Sequence, residues 1–249
     1  MAPISLFEIQ NWGLIEYQEA WAKQTELQNH VIQKKNSNQP TPAYLIYCEH
    51  PSVYTAGRRT SKEDLPDKSQ MNYDPIKGDL LNGAKVIEVN RGGKITWHGP
   101  GQLVIYPIFE LKKSNDVVGY VRVLEEAIID TLAEFGLNAV RYCERTGVWF
   151  RDPAHPEKDR KIAAIGIRVS RGVTLHGVGI NINSDLSNFE YINPCGFTDT
   201  GVTSLSKELG RQITIDEFLP ALNKHLPVRL ADISATSIAT SNQLESTLI

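Results

Sequence analysis

The sequence predicts an α+β domain, a mixed or antiparallel sheet flanked by helices. Strand-like segments, several with period-2 alternation, crowd the middle of the chain. One strong helical pattern interrupts them, and they fall into hairpin-like pairs instead of the regular βαβ alternation that would build a parallel sheet. A length of 249 residues, 41% of them hydrophobic and 22% charged, suits one domain of generous size and excludes collagen, coiled coil and intrinsic disorder.

Along the chain, residues 14–33 place Leu14, Tyr17, Trp21, Leu27 and Val31 near one face at helical spacing, without Gly or Pro, and predict a helix. Residues 42–48, PAYLIYC, form an apolar and aromatic run stopped by Pro51, as a buried strand would be. The polar stretch 58–82, punctuated by Pro, Gly and Asp, reads as a long surface loop and a candidate lid. Strands are expected at 85–90, 102–111, 147–150, 161–169 and 173–182. The interrupting helix is expected over 116–135, with Val117, Val121, Leu124, Ile128, Leu132 and Phe135 at spacings of three or four and Gly136 as its stop. Residues 152–160, DPAHPEKDR, read as a charged loop. A single catalytic domain is expected over 1–232, with a small C-terminal lobe from about residue 203. Residues 233–249, rich in Ser, Thr and Ala, are expected to be a weakly ordered tail.

Lys plus Arg total 26 against 29 Asp plus Glu, a net charge of -3 that supplies no overall basic field for gripping nucleic acid. Three cysteines, Cys48, Cys143 and Cys195, make an odd number with no C-x-x-C, which argues against a disulfide scaffold and fits a reducing compartment. The N-terminus lacks a basic segment followed by an apolar core, and no window approaches the ~18 apolar residues of a membrane span. A cytoplasmic enzyme is the expectation.

Three segments carry chemistry. In RGGKITWHGPGQ, Arg91 to Gln102, four glycines and a proline bracket a Thr, a Trp and a His; glycines let backbone approach a ligand, and the polar side chains can share a cleft. A tight turn between strands is the plain alternative. A phosphate loop is excluded, because the Gly-Lys-Ser/Thr ending is missing. In Asn193-Pro194-Cys195-Gly196 the cysteine sits on a stiffened bend, suited to a sulfur approached by a large acyl donor. A free Cys is otherwise a small buried hydrophobe, as Cys48 and Cys143 look to be. In KIAAIG, Lys161 opens an apolar strand of small side chains, followed by His176-Gly177-Val178-Gly179; the bland readings are a solvated edge charge and a satisfied sheet histidine.

Together with Glu49-His50-Pro51, Tyr106 and HGVGINI, these segments in this order resemble the lipoyl(octanoyl) transferase family over about residues 45–205. The resemblance implies a fold related to biotin and lipoate protein ligases. It implies transfer of an octanoyl (or lipoyl) group from acyl carrier protein to a specific lysine. The acceptors would be lipoyl domains of 2-oxoacid dehydrogenase E2 subunits or the glycine cleavage H protein. Carried over by position, Cys195 would be the acyl-thioester nucleophile and Lys161 the residue that lowers its pKa. The acyl substrate would be contacted by Arg91, Gly92, Gly93, Lys94, Ile95, Thr96, Trp97 and His98, by Ala164, Ile165 and Gly166, and by Gly177, Val178 and Gly179. Trp97 departs from the more familiar Tyr. No cofactor, metal, nucleic acid or membrane is implied. Three rivals remain: an ATP-dependent lipoate or biotin protein ligase, a Cys/His hydrolase, and a non-catalytic carrier-binding relative.

Overall fold

A computed structural model describes residues 6–61, 64, 80–193 and 201–236. The strands are β1 (Glu8–Leu14), β2 (Tyr44–Glu49), β3 (Val53–Ala56), β4 (Leu80–Leu81), β5 (Ala84–Glu88), β6 (Thr96–His98), β7 (Gln102–Ile108), β8 (Val148–Phe150), β9 (Arg160–Ser170), β10 (Val173–Asn181) and β11 (Gly201–Val202). The helices are α1 (Tyr17–Asn36), α2 (Val117–Ala133), α3 (Leu205–Leu209) and α4 (Ile215–Ala231). Seven strands make the main sheet, in the order β1-β2-β7-β10-β9-β11 with β8 also on β9; the other four make a small sheet, β4-β5-β3-β6. Parallel pairs (β1 with β2, β9 with β11, β3 with β5) stand among antiparallel ones, so the sheets are mixed, as the α+β expectation requires.

Period-2 alternation explains why the centre of the main sheet is apolar on both sides. From β2 and β7, Leu45, Tyr47, Leu103 and Ile105 join the core under α2 and α4, whereas Tyr44, Ile46, Val104, Tyr106 and Ile108 join the core under α1. Asp116 caps α2 by accepting from Gly119 N, and Gly136, at φ +75°, ends the chain's helical run. The helix expected from residue 14 begins at Tyr17. Leu14 instead closes β1, an edge strand that the sequence reading missed, and is 63% exposed. The core side of α1 is partly polar: buried Gln28 donates to Val173 O at 3.0 Å and thereby ties the helix to β10.

The strand expected over 102–111 ends at Ile108, after which Glu110 and Leu111 make single bridges to Val173 and Ser234. Helix α4 carries Pro220 and Pro227 and was not anticipated. A capping box between Thr214 and Glu217 starts it, and Phe218, Leu222, Leu226 and Leu230 bury its inner face against α2. In the expected loop at 152–160, Pro156–Lys158 form a 3-10 turn, and buried Asp159 accepts from Asp152 N at 2.9 Å and from Tyr142 OH. Most of the lid expected at 58–82, and residues 237–249 of the expected tail, lie outside the described residues. Among the described residues no helix is long and apolar enough to cross a membrane.

Candidate active site

The β9–β10 hairpin builds a floor with little side chain on it, where Ala164 faces Gly179, Ile165 faces Val178 and Gly166 faces Gly177. Over this floor, the turn after β5, strand β6 and the start of β8 enclose a cavity of ≈ 350 Å³, within the size range of small-molecule sites. Of the residues singled out from sequence, Lys161, Arg91, Gly93, Lys94, Ile95, Thr96, His98, Ala164, Ile165, Gly166, Gly177, Val178 and Gly179 all line it. Two do not. Gly92 donates from its N–H to Ile167 O at 2.9 Å and so anchors the turn to β9. Trp97, between two residues that face the cavity, must point the other way along β6; its Nε1 donates to Ser52 Oγ at 2.9 Å and its ring meets Phe189 edge-on. Cys195 lies outside the described residues.

Arg91 holds the turn together. Its Nη1 donates to the carbonyls of Gly92 and Lys94 at 3.0 and 2.8 Å, and its Nη2 to Thr55 O and Oγ1 at 2.6 and 2.7 Å. Direction is set from Gln102: its Nε2 also donates to the Trp97 carbonyl at 3.2 Å, so its amide oxygen faces His98 and can only accept. Thr55 Oγ1 must donate to His98 Nε2 (3.2 Å), and His98 Nδ1–H to Gln102 Oε1 (2.7 Å). Gln102 Nε2 donates to Asn181 Oδ1 (2.9 Å), and Asn181 Nδ2 to Thr203 O (3.0 Å). Thr203 N in turn donates to Lys161 O at 2.9 Å. One buried, fully directional chain therefore joins the Arg91 turn to the strand end that carries Lys161, and it fixes His98 as the Nδ1–H tautomer.

The histidines around it are neutral. Burial, then His50 and Arg91, push His98 down to about 3; burial, then Arg91 and Arg168, do the same to His176. His50 donates from Nδ1 to Ile15 O and accepts from Tyr106 OH, both at 2.7 Å, and burial lowers its pKa as well. His176 takes φ +59°, rare for a side chain of its size, and pairs its Nε2 with Asn90 Oδ1 at 2.6 Å. The cause is local. The ladder of β10 on β7 is continuous from Asn181↔Gln102 to Val178↔Ile105, then passes Pro107, which has no N–H to give.

The site also uses residues for which the motifs gave no signal: Tyr17 from α1, Trp149 from β8 and Val202 from β11 line the same cavity. Lys161 Nζ lies 4.6 Å from the centroid of the Trp149 ring. Cross-strand register, invisible in local sequence, brings these groups together.

Comparison with known proteins agrees with this geometry. The family model described as the lipoyl protein ligase A/B catalytic domain matches residues 16–227. A protein named octanoyltransferase from Salinispora arenicola is 48% identical over 219 residues, covering 86% of this chain and 92% of its own. Another of that name from Corynebacterium glutamicum is 50% identical over 214 residues, covering 85% and 77%. A solved structure of an archaeal bi-partite lipoate protein ligase and its E2 lipoyl domain, from Thermoplasma acidophilum, superposes with a TM-score of 0.63 at 17% identity, covering 90% of this chain and 84% of that one. That likeness shows the fold, which is the lipoate protein ligase fold expected from the resemblance. With nearly half its residues shared with octanoyltransferases along most of their length, the chain is a transferase and belongs to the octanoyltransferase family of lipoyl protein ligase A/B catalytic domains.

Proposed function

We propose that this enzyme transfers an octanoyl (or lipoyl) group from acyl carrier protein to a specific lysine of a lipoyl domain, in a 2-oxoacid dehydrogenase E2 subunit or the glycine cleavage H protein. Cys195 carries the acyl group as a thioester and Lys161 is its proton partner. The observation that carries this reading is Lys161 at one end of a cavity floored by Ala164, Gly166, Gly177 and Gly179, in a member of the octanoyltransferase family. The sequence position of the nucleophile supports it. Asn193, two residues before Cys195, donates its N–H to Asp64 O, and Val202, seven after it, pairs with Lys161.

An unperturbed thiol, pKa ~8.5, is only a few per cent thiolate at neutral pH and needs a cationic neighbour. A unit charge ~4 Å away at an effective dielectric near 20 is worth about 4 kcal/mol before desolvation. Half of that, at ~1.4 kcal/mol per pKa unit, brings the thiolate to about half at pH 7. The thiolate attacks the carrier thioester, and the departing carrier sulfur takes the proton of Lys161. The acceptor amine then attacks the Cys195 thioester; its C–N bond forms as the C–S bond breaks. The released proton passes from the amine to Lys161 and the cysteine sulfur departs as thiolate, which restores the starting thiolate–ammonium pair. Some six buried methylenes at ~0.8 kcal/mol each hold the chain without any charged contact.

Intact-mass analysis after mixing with octanoyl carrier, without ATP, tests the reading. Addition of one octanoyl group, mapped to Cys195 and discharged by a lipoyl domain, is expected. Transfer that requires ATP would assign the chain to the ligase chemistry instead. Acylation with release of free octanoate only would assign it to hydrolysis.

A further inference from the structure

Lys161 rests in a cradle made by a segment outside every motif that the sequence singled out. Val148 pairs with Ala163 but Trp149 pairs with Lys161, so the register shifts by one residue and β9 bulges at Ile162. A bulge re-aims the side chains beside it. Here it sets Lys161 and Trp149 opposite each other on one face, with Nζ 4.6 Å from the indole centroid.

The ring cannot turn away. Trp149 is fully buried, its Nε1 donates to Arg145 O at 3.3 Å, and Tyr142 meets its edge at 5.8 Å. Gly147 closes the other side. At φ +121° it leaves open the space through which the lysine stem runs: a Cβ there would stand 3.3 Å from Lys161 Cε and 2.5 Å from Ala163 O. Its N–H donates to the buried carboxylate of Glu125 at 2.9 Å.

The charged groups around this cradle are mostly engaged elsewhere. Glu125 holds Arg122 and Gly147, Glu208 holds Arg160, Asp159 takes Tyr142 and Asp152, and Asp64 pairs with Lys94. Glu144 and Arg145, on the approach to β8, line the cavity as one acid and one base, and Arg91 and Arg59 line it farther along the β5–β6 side. Of the titratable groups across the cavity, His98 and His176 are neutral. Tyr17 is pushed up to about 12 and Tyr106 well above its ordinary value, both by burial first, so both phenols keep their protons.

We propose that Trp149 is a positioning residue that holds Lys161 in its ammonium form and aims it along the cavity. The face of an indole attracts a cation and has no comparable attraction for a neutral amine, so it favours the charged form of the lysine beside it. The proposal rests on the reading of Lys161 as the partner of Cys195. On that reading, the ring favours the resting thiolate–ammonium pair. Once the departing carrier has taken the lysine proton, it also favours recovery of a proton from the attacking acceptor amine.

The test replaces Trp149 alone with mono-, di- and trifluorinated tryptophan, which drains the negative face stepwise while keeping the ring's shape. Two quantities are read. Competitive labelling with a trace amine-acylating reagent, resolved by peptide mass analysis, reports the protonation midpoint of Lys161 whether or not the enzyme turns over. Octanoyl transfer is measured in parallel, with kcat and KM separated. The Lys161 midpoint is expected to fall stepwise, by about one pH unit at full fluorination. Trp149→Leu should lower it as far, and kcat should fall with KM little changed. An unchanged midpoint along the fluorinated series would overturn the proposal. A falling midpoint with unaltered transfer would uphold the contact and instead sink the assignment of Lys161 to the reaction.

Discussion

At the scale of single residues, the two described cysteines differ in burial. Cys48 is buried in β2, and burial first, then Glu49, pushes its thiol well above the ordinary range, so it stays protonated and inert. Cys143, read from sequence as a buried hydrophobe, is instead exposed and does not line the cavity. Cys48→Ser and Cys143→Ser are expected to retain transfer, and Cys195→Ser to abolish it, since a hydroxyl cannot be ionised by a neighbouring ammonium alone. Steady-state octanoyl transfer by the three variants checks this; near wild-type turnover in Cys195→Ser would remove the covalent intermediate from the scheme. For Lys161→Ala, the pH midpoint of Cys195 alkylation should move upward, because the thiolate loses its stabilising charge. Lys161→Arg should restore ionisation better than transfer, because a guanidinium cannot give up and regain a proton. A midpoint that stays put in Lys161→Ala would mean that another group perturbs the thiol.

At the scale of elements, the hairpin β9–β10 decides what the cavity admits, and its small residues are not equivalent. A Cβ on Gly177 would stand 1.9 Å from Ile105 O, and one on Gly166 would stand 2.8 Å from Arg91 Cδ and 3.1 Å from Gly92 O. Those two glycines let backbone and the Arg91 stem approach, so substitutions there should disrupt the sheet before they alter the cavity. Ala164 lines the cavity with a side chain of its own and is the better probe of its volume. Ala164→Val should slow decanoyl more than octanoyl transfer, and hexanoyl least, with unfolding little changed. Gly177→Val should lose stability and every chain length together. Relative kcat/KM over the three carriers, with denaturant unfolding alongside, decides it, and a uniform loss in Ala164→Val would place the acyl chain elsewhere. The difference between these residues also marks what sequence can carry. The Arg91 to His98 block and the KIAAIG strand were legible, because glycines and period-2 alternation leave local signatures. Trp97 was read with its neighbours as lining, although alternation along β6 already turns it away. Trp149 and Val202 were not legible, because only pairing between distant strands brings them to Lys161. Helix α4 was missed because its two prolines break the expected pattern, whereas packing against α2 holds it in place.

At the scale of the whole molecule, the neutral histidines make the fold sensitive to acid. His98 and His176 have pKa values of about 3 when folded, against 6.5 ordinarily. Between those values the unfolded chain binds a proton that the folded chain refuses. Their contribution is therefore complete above about pH 6.5 and is lost as pH falls toward 3, by up to ~1.4 kcal/mol per pH unit for each group. His176 offers the cleaner test, because asparagine tolerates its positive φ and cannot titrate in this range, whereas replacing His98 would also break the chain of hydrogen bonds from Arg91 to Thr203. His176→Asn should be less stable than wild type at pH 8, having lost the packing of the imidazole against Trp21 and its bond to Asn90. On acidification from pH 6.5 to 5, however, the variant should lose stability more slowly, by about one proton's worth of slope, and the two curves should converge. Urea unfolding at half-unit steps of pH measures both slopes. Parallel curves would show that His176 carries a proton in the folded state, and that the cavity wall beside Arg91 is positively charged where burial predicts it to be neutral.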